Sequence, residues 1–73
     1  TLGDQTEGLV AALDRLKECS PRSHEVLWRR MALDQSVAQV AESLGISERT
    51  AAEDWRFART WLRRELSRED QSP

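Results

Sequence analysis

Between positions 9 and 72 the chain holds one proline, Pro21, and one glycine, Gly45. These two residue types are the strongest interrupters of regular backbone, so the segments before, between and after them have little to break them. No stretch alternates apolar and polar residues with period two, whereas apolar residues recur every three or four positions. That pattern predicts helices throughout, in an all-α fold with no hairpin to serve as a wing. Seventy-three residues form one small domain at most, and chains of this size bury only about 60% of their unfolded surface. The expected unit is a compact four-helix domain over residues 6–67, with residues 1–5 and 68–73 as frayed or disordered ends.

The first helix is expected from about Thr6 to Cys19, with Leu9, Leu13 and Leu16 at helical spacing on one face. Ser20-Pro21 should end it and start a second. Ser20 can accept a bond from an orphan backbone N–H, and Pro21 suits the first helical position because it has no such donor to satisfy. The second helix, with Val26, Leu27, Arg30 and Met31, should reach about Leu33. Asp34-Gln35-Ser36 reads as a turn, and Ser36 as the cap of a third helix from Val37 to Leu44 whose inner stripe is Val37, Val40, Ala41 and Leu44.

Gly45 then stands where a helix end favours a left-handed residue, which glycine adopts without a Cβ clash. Ile46 should turn inward as a plug, and Ser47 should cap a long fourth helix from Glu48 to about Leu66. Two helices crossing steeply over a tight turn need a small residue at the contact, and Ala41 and Ala51 supply it. The combination is a helix-turn-helix pattern.

Successive side chains of a helix lie about 100° apart. On the fourth helix Ala51, Trp55, Ala58, Leu62 and Leu66 therefore share one stripe and should face the core. Arg49, Arg56 and Arg63, spaced by seven, share the opposite side, with Arg59 at its margin and Ala52 between. Guanidinium groups pair phosphate oxygens bidentately or read the O6 and N7 edge of guanine, so this ridge is a candidate nucleic-acid surface; the alternative is a solvated helix face. Glu53, among the arginines, can pair with Arg49 or Arg56 or accept from a cytosine amino group. Asp54 lies nearer the core and should bond a backbone group or an arginine. Phe57 and Trp61 flank the core stripe and should pack under the first helix, or else form an exposed platform for a partner protein. Trp28 should stay partly exposed, and Cys19 and His24 read as structural or incidental.

Net charge is −2, which alone argues against a polyanionic partner, but the charge is unevenly placed. Residues 49–68 carry six arginines against three acids, while residues 1–28 carry three basic and five acidic side chains. Binding of phosphates requires local rather than global positive potential. A single cysteine excludes a disulfide within the chain and suits a reducing, cytosolic setting. One histidine, no glycine-rich phosphate loop and no nucleophile with an evident basic partner leave little for catalysis or for a metal, so neither enzyme activity nor a cofactor is expected. No apolar run approaches the roughly 18 residues that span a bilayer, so no membrane segment is expected. The start at Thr1, with no leader before it, reads as a piece of something longer.

From Pro21 to Leu66 the chain resembles region 4, the C-terminal helix-turn-helix domain, of a bacterial RNA polymerase sigma factor of the sigma-70 family. The pattern is most similar to the extracytoplasmic-function (ECF) type. The resemblance is carried by Glu25-Val26-Leu27, by Val40-Ala41-Glu42-Ser43-Leu44-Gly45-Ile46-Ser47, by Thr50, and by Asp54-Trp55, Ala58-Arg59 and Trp61-Leu62-Arg63. It implies that the last helix enters the major groove of the minus-thirty-five promoter element while another surface holds core RNA polymerase through its β flap and β′ subunit. It also implies that an anti-sigma factor can be a partner, that the protein works in the cytoplasm, and that it initiates transcription. By position, Ser47, Arg49 and Thr50 would contact phosphate or the groove edge, Ala52, Glu53 and Arg56 would face bases, and Arg59 and Arg63 would steady the backbone. The chain departs from the family pattern at Arg29 and Gln35, where apolar residues are usual, at Gln39, where glutamate is, and at Ala51, where a β-branched residue is. It is neutral and acidic at Ala52 and Glu53, where basic residues are common.

Two other readings stand beside this one. The same helices could form a protein-interaction module that docks a polymerase flap, an anti-sigma factor or a second copy, with little DNA binding. A response-regulator-type helix-turn-helix output domain shares the layout, although it usually lacks an ending like Trp61-Leu62.

Overall fold

Pro21 opens the second of four helices, and the chain folds around the joints on either side of it. The computed structural model describes the backbone of residues 2–70 and the side chains of residues 8–67. The helices are α1 (Leu2–Cys19), α2 (Pro21–Met31), α3 (Val37–Leu44) and α4 (Glu48–Asp70). Among the described residues there is no strand, so the fold is all-α.

Both terminal helices run past their expected bounds. α1 begins at Leu2 rather than near Thr6, and α4 continues to Asp70 rather than stopping near Leu66. Neither stretch contains a proline or a turn cluster to stop a helix. Of the ends expected to fray, Thr1 and residues 71–73 lie outside the described residues.

The α1–α2 joint differs from expectation in one detail. Pro21 takes the first helical position and Ser20 the cap position, but the Ser20 side chain accepts no backbone N–H. Its hydroxyl donates to Ser23 Oγ at 2.9 Å instead. Ser23 is buried, and a buried hydroxyl left without a partner is costly, so the contact satisfies the helix interior rather than its end. After α2, Asp34 adopts a left-handed backbone (φ 54), which aspartate tolerates better than most residues. Arg30 Nη1 ties the turn back by donating to the Gln35 carbonyl at 2.7 Å.

α3 is fixed at both ends, at its start by Ser36 and at the α3–α4 corner by Gly45, as those residues predict. Ser36 and Gln39 make a reciprocal capping box, each accepting from the other's backbone N–H, at 3.1 and 2.8 Å. Gln39 thus does what a glutamate would do there. Gly45 is left-handed (φ 68, ψ 34). The Ile46 N–H reaches back to the Ala41 carbonyl at 3.0 Å and the Gly45 N–H to that of Glu42 at 3.4 Å, the paired bonds of a Schellman ending. Ser47 then caps α4 by accepting the Thr50 N–H at 3.0 Å.

The core consists of two clusters. Val26, Val40, Ala41 and Ala51 form one, with Val37, Leu44 and Ile46 against it; Leu16, Leu27 and Ala58 form the other, with Leu13, Trp61 and Leu62 against it. Trp55 packs on both. Ala51 and Ala58 are fully buried, and their small side chains let α4 lie close to its neighbours. Phe57 is 45% exposed, which corrects the expectation that it packs under α1. It sits about 100° round the helix from Ala58, far enough to leave the buried stripe that Trp61 still reaches. Leu9 and Met31, assigned to apolar faces of α1 and α2, are also exposed.

Candidate nucleic-acid interface

Because Ala51, Ala58 and Leu62 hold the back of α4 against the core, its opposite side faces solvent. Arg49, Glu53, Arg56, Arg59 and Arg63 are all exposed. Arg49 and Glu53, with 90% and 62% of their side chains exposed, are joined by a 3.3 Å contact between Nε and Oε1. Of the two pairings open to Glu53, the one with Arg49 is thus made. Arg56 and Arg63 make no hydrogen bond or ion pair among the described residues. Their guanidinium groups are available to an outside anion.

Arg59 is ordered differently. Its guanidinium carbon lies 5.4 Å from the centroid of the Trp55 ring, and that of Arg30 from α2 lies 5.0 Å from the same ring. Both are within reach of a cation–π attraction. Trp55 does more than fill the core stripe: it is half-buried, and its ring also orders two cations.

The remaining sequence candidates sit at the start of α4. The Ser47 hydroxyl accepts from the Thr50 N–H and donates to Thr50 Oγ1 at 2.9 Å. The Ser47 proton is therefore engaged, and Thr50 keeps its own hydroxyl proton to donate elsewhere. Ala52 is half-buried, so it borders the exposed face rather than crowning it.

Arg22 escaped the sequence reading. From the first turn of α2, its Nε and Nη2 donate to the two carboxylate oxygens of Asp54 on α4. The hydrogen bond and the charge of Asp54, with a smaller contribution from Glu53, raise the Arg22 pKa above its ordinary value. Two signals pointed to this pair. Asp54 lies beside the core stripe and needs a cation, and a basic residue in the first turn of a helix opposes the macrodipole and needs an acid.

A second, apolar surface adjoins Arg59 and Arg63 through Met31 and Leu62. Leu9, Leu13, Trp28, Met31, Ala32 and Leu62 line an apolar groove of about 220 Å³ between α1, α2 and α4. Trp28 is exposed at its edge, as expected, and His24 contributes to its wall. Cys19 is exposed and unpaired. Among the described residues no group of three or more histidine, cysteine or acidic side chains could hold a metal ion, and no helix is long and apolar enough to cross a membrane.

The comparisons with known proteins bear on this geometry. A family model described as ECF sigma factor matches residues 2–68. Neither a curated protein nor a solved structure matches the chain.

Proposed function

Because the chain belongs to the ECF sigma factor family, a family of transcription-initiation factors rather than enzymes, we propose that this domain recognises the minus-thirty-five promoter element through α4. The observation that carries the reading is the exposed row Arg49, Arg56 and Arg63 on a helix whose back is buried and whose start is fixed by the Gly45 corner. A helix presented in this way fits the major groove, where its first turns meet base edges and later ones meet phosphates. Glu53 and Arg56 are the base-facing side chains, with Ala52 at their border, and Arg49 stands at the groove edge. Ser47 and Thr50 approach the groove edge, where Thr50 retains a proton to donate. Arg59, stacked on Trp55, and Arg63 hold the backbone. The domain works in the cytoplasm, where promoter DNA and core RNA polymerase are found.

Fluorescence anisotropy of the 73-residue chain with duplexes carrying candidate promoter elements tests the reading. Arg56→Ala is expected to weaken binding at least about fivefold, the lower end for loss of a bidentate base contact, and Arg49→Ala to weaken it through loss of a groove-edge contact. Unchanged binding in both variants would remove the DNA assignment.

The apolar groove favours a second, compatible role, in which α1 and α2 dock core polymerase through its β flap, or an anti-sigma factor. Large exposed apolar patches mark protein contacts; Met31 and Leu62 of this one also border Arg59 and Arg63, whereas Trp28 does not. Trp28→Ser should then abolish co-purification with a β flap fragment while leaving duplex binding intact.

A further inference from the structure

The two flanks of α4 are not equally supplied with cations. A helix in the major groove has a phosphate wall on each side. Measured round the helix from Arg49, Arg59 lies about 80° to one side, and Arg63 lies on that side too. On the other side, Glu53, Phe57 and Asp54 lie about 40°, 80° and 140° round, and α4 itself has no cation there before Arg64. α2 brings one to that flank. Arg22 is held on Asp54 by two hydrogen bonds, yet 56% of its side chain remains exposed. A guanidinium has five N–H donors, so three of them are not engaged by Asp54.

We propose that Arg22 is a contact to the DNA backbone on the second wall of the groove, carried by α2 and aimed by Asp54. The inference rests on the reading of α4 as a groove-entering helix and adds a residue from outside it. Asp54 is a positioning residue: it is buried behind the guanidinium and would not itself meet the phosphate. An arginine can bridge a carboxylate and a phosphate because its donors leave the plane edge in several directions. The pair also joins two elements, so a phosphate bound there fixes α2 as well as α4 on the duplex.

The test is a salt titration of anisotropy with a mixed-sequence duplex, using the wild-type chain, Arg22→Gln and Asp54→Asn, each checked for helicity by circular dichroism. Loss of one phosphate contact should lower the slope of log K against log salt by about 0.9 in Arg22→Gln, equally for any duplex. Asp54→Asn discriminates further. Removing an acid should tighten binding to a polyanion if only net charge matters, whereas loss of positioning should weaken it. An unchanged slope in folded Arg22→Gln, or tighter binding in folded Asp54→Asn, overturns the proposal. Should a variant not fold, the Nε–Hε resonance of Arg22 in the wild-type chain decides. It must shift and slow its exchange with water when duplex is added, and an unmoved resonance is against the contact. Wild-type protein that binds no duplex at any salt would instead bring down the α4 reading itself.

Discussion

The α3–α4 corner and the α1–α2 half of this small domain are held by different means. At the corner almost every constraint is local: the Gly45 and Ile46 N–H groups with the carbonyls of Glu42 and Ala41, and Ser47 with Thr50. In the α1–α2 half the helix joint lacks a side-chain cap, and order comes from distant partners, such as Leu16 and Leu27 on Ala58 and Arg22 on Asp54. The corner must present α4 at one angle, and short-range chemistry fixes an angle well. The other half has only to supply weight behind α4, and it leaves apolar side chains uncovered, with Met31 65% exposed. Local constraint serves geometry here, and long-range packing serves stability.

Trp55 is the residue on which that division depends most, because it packs on both core clusters. Trp55→Ala should cost about 3 kcal/mol, the lower end for loss of a large aromatic because the ring is only half-buried. Urea denaturation should show both halves melting together at a much lower midpoint. A loss under about 1 kcal/mol would mean that the two clusters are stable apart and that the contrast is sharper than drawn.

Gly45→Ala tests the corner alone. A Cβ there would meet nothing within 4 Å, so the penalty is purely conformational, about 1.5 kcal/mol for a left-handed residue with a side chain. If the corner sets the angle of α4, duplex binding should fall by more than the unfolded fraction explains. Binding that follows stability alone would show that packing, not the turn, sets the angle.

The same contrast decides what could be read in advance. The corner was legible because each of its devices lies within five residues and uses one characteristic residue type. The arginine row was legible because seven-residue spacing survives any packing arrangement. The Arg22–Asp54 pair was half legible: Asp54 asked for a cation, but its partner is 32 residues away in sequence, and periodicity is silent on such a distance. Ser20 occupies the cap position without making the cap bond, and the partner its hydroxyl does take, Ser23, is set by burial in the assembled fold. Phe57 went astray for a related reason. Helical phase places a side chain to within one residue, and the width of the buried stripe depends on where α1 happens to lie.

Ser47 offers a smaller and sharper test, since it separates fixing the corner from binding DNA. Ser47→Ala removes the bond to the Thr50 N–H and should cost about 1 kcal/mol in urea denaturation. Ser47→Asp keeps an acceptor at the cap and should hold stability near wild type. It also adds a negative charge at the groove edge, so its duplex affinity should fall. Equal affinity for Ser47→Asp and wild type would place the start of α4 away from the phosphates.

The smallest effect on stability is expected at Glu53, and there the sign of the effect on binding carries the information. Its contact with Arg49 joins two largely exposed side chains on one helix face, and such pairs contribute only about 0.3–0.5 kcal/mol. Glu53→Gln should therefore leave the urea midpoint nearly unchanged. It removes an acid from a face that otherwise presents arginines, so affinity for an arbitrary duplex should rise, most at low salt where charge is least screened. Base reading by Glu53 predicts something more selective: Gln would lose the acceptor preference for a cytosine amino group, and affinity would fall for duplexes with cytosine at one position while rising for the rest. A uniform rise would make Glu53 a brake on non-specific binding that also holds Arg49 in place. A position-dependent fall would make it a reader in its own right, and would mean that the exposed face of α4 discriminates bases through an acid as well as through its arginines.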